Sequence, residues 1–128
     1  MKRSKDSVAA TKKSGIELRI RVDLPNRGQI GPGKIELLRR IGEQQSIAAA
    51  ARDMNMSYRR AWLLVQELNG LFSKPLVAKW LGGKSRGGAT LTPAGERLIA
   101  AYETLVAQAT AANAALLTDI LRSTQRTA

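Results

Sequence analysis

The chain contains neither cysteine nor histidine. That excludes a disulfide framework and the Cys/His zinc sites, leaving only an all-carboxylate set for a metal. It also excludes nucleophilic catalysis by a Ser–His or Cys–His pair and any histidine general base. Aromatic residues are scarce, with one Phe, two Trp and two Tyr, so the core must be aliphatic and alanine-rich. Acidic residues are in deficit, 10 against 21 Lys and Arg, for a net charge of +11. An excess of that size points to an anionic partner, nucleic acid ahead of an acidic membrane surface. No apolar run approaches the roughly 20 residues that span a bilayer. The Lys-rich start has no apolar run behind it, so it does not read as a secretory signal. A cytoplasmic protein of about one domain is expected from 128 residues.

Two glycine–lysine fragments resemble phosphate loops. Gly28 to Lys34 follows a strand pattern, but Ile35 stands where a Mg²⁺-binding hydroxyl belongs. In the second, Ala78 occupies the first glycine position ahead of Gly83-Lys84-Ser85. The acids Asp23, Glu36, Asp53, Glu67, Glu96 and Glu103 are scattered rather than paired. No catalytic residue, cofactor or metal ligand is therefore expected.

The positive content of the sequence is organisational. Residues 1–14 read as a disordered basic tail. Over residues 16–24, Ile16, Leu18, Ile20, Val22 and Leu24 alternate with polar residues, as in a half-buried strand. Pro25-Asn26-Arg27-Gly28 turns it. Ile35, Leu37, Leu38 and Ile41 form a helical stripe that ends near Gly42. Ser46 caps a second helix, with Ile47, Ala50, Ala51 and Met54 inward. Asn55 suits the left-handed turn that follows. Ser57 caps a third helix, whose packing face is Tyr58, Ala61, Trp62, Val65, Leu68 and Phe72. Residues 76–81 and 89–91 read as a hairpin around the basic tip Lys84-Ser85-Arg86. Thr92-Pro93 opens a last helix running to about Arg122. A helix of that size is about 45 Å long, more than one small domain can cover. Its stripe Leu98, Tyr102, Leu105, Ala109, Ala112, Leu116 and Ile120 is therefore expected to form a homodimer interface.

The expected fold is mainly α with small β. It is a winged helix-turn-helix over residues 15–92, with a three-helix core, a β-hairpin wing and an N-terminal strand. A long dimerisation helix at 93–122 and a short disordered tail at 123–128 follow. The third helix presents Ser57, Arg59 and Arg60 to the major groove. Ser46 and Tyr58 belong to the same DNA-binding set, and Lys84, Ser85 and Arg86 reach the minor groove or backbone. Gln66 and Asn69 lie too far along to be first choices for base contact. Trp62 and Trp80 are assigned to packing. The alternative is a non-catalytic adaptor that dimerises through its last helix and offers Leu63 and Leu64 to a partner.

The segment SIAAAARDMNMSYRRAWLLVQELN, followed by PLV, GGKSRGGATLTPAGERLI and AYETL, resembles the N-terminal domain of the ModE family of molybdate-responsive regulators. The helix-turn-helix is more distantly similar to that of the LysR family. The resemblance covers about Ile16 to Leu105 and implies dimeric binding to pseudo-palindromic double-stranded DNA. In the ModE family, oxyanion-binding modules follow the long helix. The residues after Leu121 are too few for one, so control by molybdate is expected only through a separate effector-sensing partner.

Overall fold

The computed structural model describes residues 15–80 and 88–124. The expectations for the basic tail, for Lys84, Ser85 and Arg86, and for the last four residues lie outside them. The chain divides into two compact units, Arg21–Ala100 and the remainder on either side.

The first unit opens with a two-stranded antiparallel hairpin, β1 (Val22–Asp23) and β2 (Gln29–Ile30). The alternating pattern predicted a strand over 16–24. Only Val22 and Asp23 enter a ladder, because β2 offers just two residues to pair with. Arg27 adopts a left-handed conformation at φ 72° in the turn. Helix α1 (Pro32–Gln44) starts with proline in its first turn and buries Ile35, Leu37, Leu38 and Ile41. Gly42 does not end this helix. A side chain there would meet Leu91 Cδ1 at 2.7 Å, so the glycine admits a neighbouring strand. The stop is Gln45, left-handed at φ 58°, whose N–H donates to the Ile41 carbonyl.

Helix α2 (Ile47–Asp53) is capped as expected, with the Ala49 N–H donating to Ser46 Oγ at 3.0 Å. Asn55 takes the left-handed turn at φ 55°. Helix α3 (Tyr58–Leu71) then buries Ala61, Val65 and Leu68. Its carboxyl end is held by two asparagines. Asn26 Nδ2 donates to the Leu71 carbonyl at 3.0 Å. Asn69 Oδ1 accepts from the Leu76 and Val77 N–H groups at 2.8 and 3.1 Å, and its Nδ2 donates to the Val77 carbonyl at 3.0 Å. Strands β3 (Val77–Trp80) and β4 (Gly88–Leu91) pair antiparallel, Val77 opposite Leu91 and Trp80 opposite Gly88. No buried side-chain polar atom among the described residues lacks a partner.

Thr92 joins this hairpin to helix α4 (Pro93–Ala112). Its hydroxyl donates to the Pro75 carbonyl at 2.7 Å and accepts from the Gly95 N–H at 3.1 Å. Gly95 is needed here because a Cβ would collide with the Leu76 carbonyl oxygen.

The sequence predicts one helix to Arg122, whereas the structure has two. Asn113 separates α4 from α5 (Ala114–Ser123), and their axes differ by 70°. Asn113 Nδ2 donates to the Ala109 carbonyl at 2.7 Å, competing for a group the helical ladder uses. Tyr102 also differs from its assignment as an interface residue. It is buried in its own unit, and its hydroxyl donates to the Ile20 carbonyl at 2.6 Å. Burial pushes its phenol pKa above the ordinary 10.0.

Two outcomes follow from these contacts. Gly95→Ala should lower unfolding free energy by about 1–3 kcal/mol in urea titration, because a backbone oxygen cannot yield as a side chain can. The protonated Tyr102 phenol stabilises fully below about pH 10, and that contribution is lost as pH rises through its raised folded value. Tyr102→Phe should remove this alkaline loss from a series of melts.

Candidate nucleic-acid interface

Helix α3 carries the site because its rotation is fixed. Ala61, Val65 and Leu68 are each 0% exposed. With 3.6 residues per turn, Arg59, Leu63 and Gln66 then fall within about 60° of one another, roughly opposite that triad. All three are exposed. The first turn stands clear of the core, since Ser57, Tyr58, Arg59 and Arg60 are all exposed. Tyr58, expected on the packing face, is instead 54% exposed, because no core residue covers the helix that near its start. It is open to solvent beside the arginines. Ser57 Oγ accepts from the Arg60 N–H at 3.1 Å, and its own O–H remains a donor.

The charge at this end runs against helix stability. The amino end of a helix carries partial positive charge and favours acids. Here the first turn holds no acid and two arginines. Neither arginine has an ion-pair partner among the described residues. Two like charges at the wrong pole, left unpaired, are what an anion-binding surface requires. Nearby cations are used differently. Arg40 pairs with Glu36 at 2.6 Å and Asp53 at 3.5 Å, and the Glu36 hydrogen bond raises its pKa further. Lys34, the lysine of the phosphate-loop look-alike, pairs with Glu67 at 2.8 Å and ties α1 to α3.

Ser46 lies at the α2 cap and is half-buried. Asn69 is a structural clamp and does not face outward with Arg59. A cluster that sequence reasoning missed joins α3 to the wing. The Lys79 ammonium stands 4.9 Å from the centre of the Trp62 ring and donates to Gln66 Oε1 at 2.8 Å. This fixes which end of the Gln66 amide turns outward, since ammonium only donates. A lysine in the strand predicted over residues 76–81 was the available signal. Of the two tryptophans assigned to packing, Trp62 is half-buried beneath Lys79 and Trp80 is 40% exposed. No group of acids that could hold a metal occurs among the described residues.

Of the proposed dimer stripe, Leu105, Leu116 and Ile120 are 42%, 62% and 54% exposed. Ala112 is exposed and Ala109 half-buried. Leu98 instead lines a cavity of about 370 Å³ with Phe72, Leu76 and Arg97. Among the described residues, no single helix is long and apolar enough to cross a membrane.

Two capped helices at a left-handed turn, preceded by a third and followed by an antiparallel hairpin, define a winged helix-turn-helix. The family model for bacterial regulatory helix-turn-helix proteins of the lysR family matches residues 33–96, and the chain belongs to that family of DNA-binding transcription regulators. It is 51% identical over 74 residues to the molybdenum-pterin-binding protein MopB of Rhodobacter capsulatus, covering 58% of this chain and 27% of that one. It is 43% identical over 74 residues to the DNA-binding transcriptional dual regulator ModE of Escherichia coli K12, covering 58% and 28%. Against the transcriptional regulator ModE of Yersinia pestis it is 38% identical over 89 residues, covering 70% and 34%. The aligned part thus spans about a quarter to a third of these relatives' length.

Removing the cap and removing a cation should act oppositely on stability. Ser57→Ala should cost about 0.5–2 kcal/mol by loss of the N-cap. Arg59→Ala should leave stability unchanged or raise it by up to about 1 kcal/mol by relieving the helix dipole. Urea unfolding of both variants checks the pair.

Proposed function

We propose that this chain recognises a pseudo-palindromic operator as a homodimer, with α3 in the major groove. The observation that carries the reading is the unpaired Arg59 and Arg60 at the Ser57-capped, acid-free start of α3. Arg59 faces directly away from the core and donates two hydrogen bonds to the O6 and N7 edge of guanine. Ser57, Ser46 and Arg60 contact phosphate and set the register, with Tyr58 beside them. Lys84, Ser85 and Arg86 of the wing reach the minor groove or the flanking backbone.

Pairing of two copies runs through the exposed apolar residues Leu105, Leu116 and Ile120, with Ala109 and Ala112 alongside. The bend at Asn113 divides this surface between α4 and α5. Names of relatives that mention molybdenum support a molybdenum-linked effector. The chain works in the cytoplasm, where its DNA target lies, and performs no catalysis.

Competition binding against a selected operator tests the assignment of roles. Arg59→Ala should cost about 1–3 kcal/mol and relax preference at one position per half-site. Lys84→Ala should weaken all sequences alike and reduce the salt slope by about 1. An unchanged base preference in Arg59→Ala would refute its reading role. In sedimentation equilibrium, the double variant Leu116→Lys with Ile120→Lys should shift the dimer to monomer. A dimer that survives that change places the interface elsewhere.

A further inference from the structure

The outward face of α3 holds one residue that DNA contact through charge leaves unexplained. Leu63 is 47% exposed, in a helix where Ala61, Val65 and Leu68 satisfy the core completely. It lies four residues after Arg59 and three before Gln66, so it sits between them on one face. Its neighbours there are polar. Arg59 has no ion-pair partner among the described residues, and the Gln66 amide is fixed by Lys79 at 2.8 Å.

We propose that Leu63 is a specificity-determining residue that reads the C5-methyl group of a thymine. The inference rests on the major-groove docking of α3 proposed above. In that groove every base pair displays donors and acceptors, and thymine alone adds an apolar group. A leucine flanked by two hydrogen-bonding side chains meets base edges at the same depth they do, with nothing to donate or accept. It gains only where a methyl group is present to be removed from water with it. Opposite a guanine–cytosine pair it covers polar edges and leaves them without water. Leu63 therefore selects for thymine in the base pair between those met by Arg59 and Gln66. It also selects against pairs whose edge at that point is wholly polar.

Replacing thymine by uracil deletes the methyl group and nothing else. Duplexes are first selected from a random pool with the whole chain. Each thymine of the selected half-site is then replaced by uracil in turn. Affinities are measured for the native chain, Leu63→Ala and Leu63→Met. One thymine per half-site should weaken native binding about three- to fivefold when its methyl is lost, the value of one buried methyl. That penalty should vanish in Leu63→Ala and persist in Leu63→Met, which keeps an apolar reach. A uracil penalty of equal size in Leu63→Ala overturns the proposal, as does a selected operator in which no thymine is sensitive. In both cases the docking of α3 still stands. If the native chain selects no sequence, the docking reading falls and this inference with it. Leu63→Ala that binds DNA with native selectivity but loses a protein partner would also overturn it, and would identify Leu63 as a docking residue.

Discussion

The complete burial of Ala61, Val65 and Leu68 is the constraint on which the rest depends. Three residues at i, i+4 and i+7 fix the rotation of α3 about its own axis. Once rotation is fixed, so is the list of outward side chains. Small residues are among those the two packed helices bury, Ala50 and Ala51 on α2 and Ala61 on α3. Translation along the axis is fixed from the carboxyl end. Ser57 closes the first turn, while Asn26 and Asn69 hold the last one to the N-terminal hairpin and to β3. A base-reading helix needs this, since a small misplacement would separate a donor from its acceptor.

The electrostatics follow from the same frame. Four acids of the first unit are matched: Glu36 and Asp53 by Arg40, Glu67 by Lys34, Asp23 by Arg21. The arginines at the start of α3 are among the cations that have no ion pair among the described residues. Their placement opposes the helix dipole, and the Ser57 cap offsets part of that cost. Local disagreement of this kind is expected where a structure serves a ligand instead of its own stability.

Much of this was legible in the chain because it rests on local chemistry. Ser46, Ser57 and Asn55 act within three residues of themselves, and hydrogen-bonding rules for caps and left-handed turns suffice to place them. The Thr92-Pro93-x-Gly95 run was legible as a helix start, though the reason for Gly95 is a distant carbonyl. What was misread depends on distant partners. Gly42 looked like a stop because glycine often is one, yet its purpose is to admit Leu91. Tyr58 matched the packing period, but the core ends before reaching it. Tyr102 matched the outer stripe, but the segment ending at Ile20 covers it. Asn69 was set aside for base contact because it lies far along the helix, but its role as a clamp on the strand backbone depends on partners seven and eight residues away. The break at Asn113 carries too little local signal, since asparagine is tolerated in many helices.

The proposed reading of base edges by α3 takes place in the major groove. Methylation interference tests this directly, because dimethyl sulfate marks guanine at N7 in the major groove and adenine at N3 in the minor groove. N7 methylation of a guanine in each of two symmetric half-sites should block binding by the native chain, and Arg59→Ala should lose this sensitivity. Interference confined to adenine N3, or none at any guanine of a bound duplex, would contradict it.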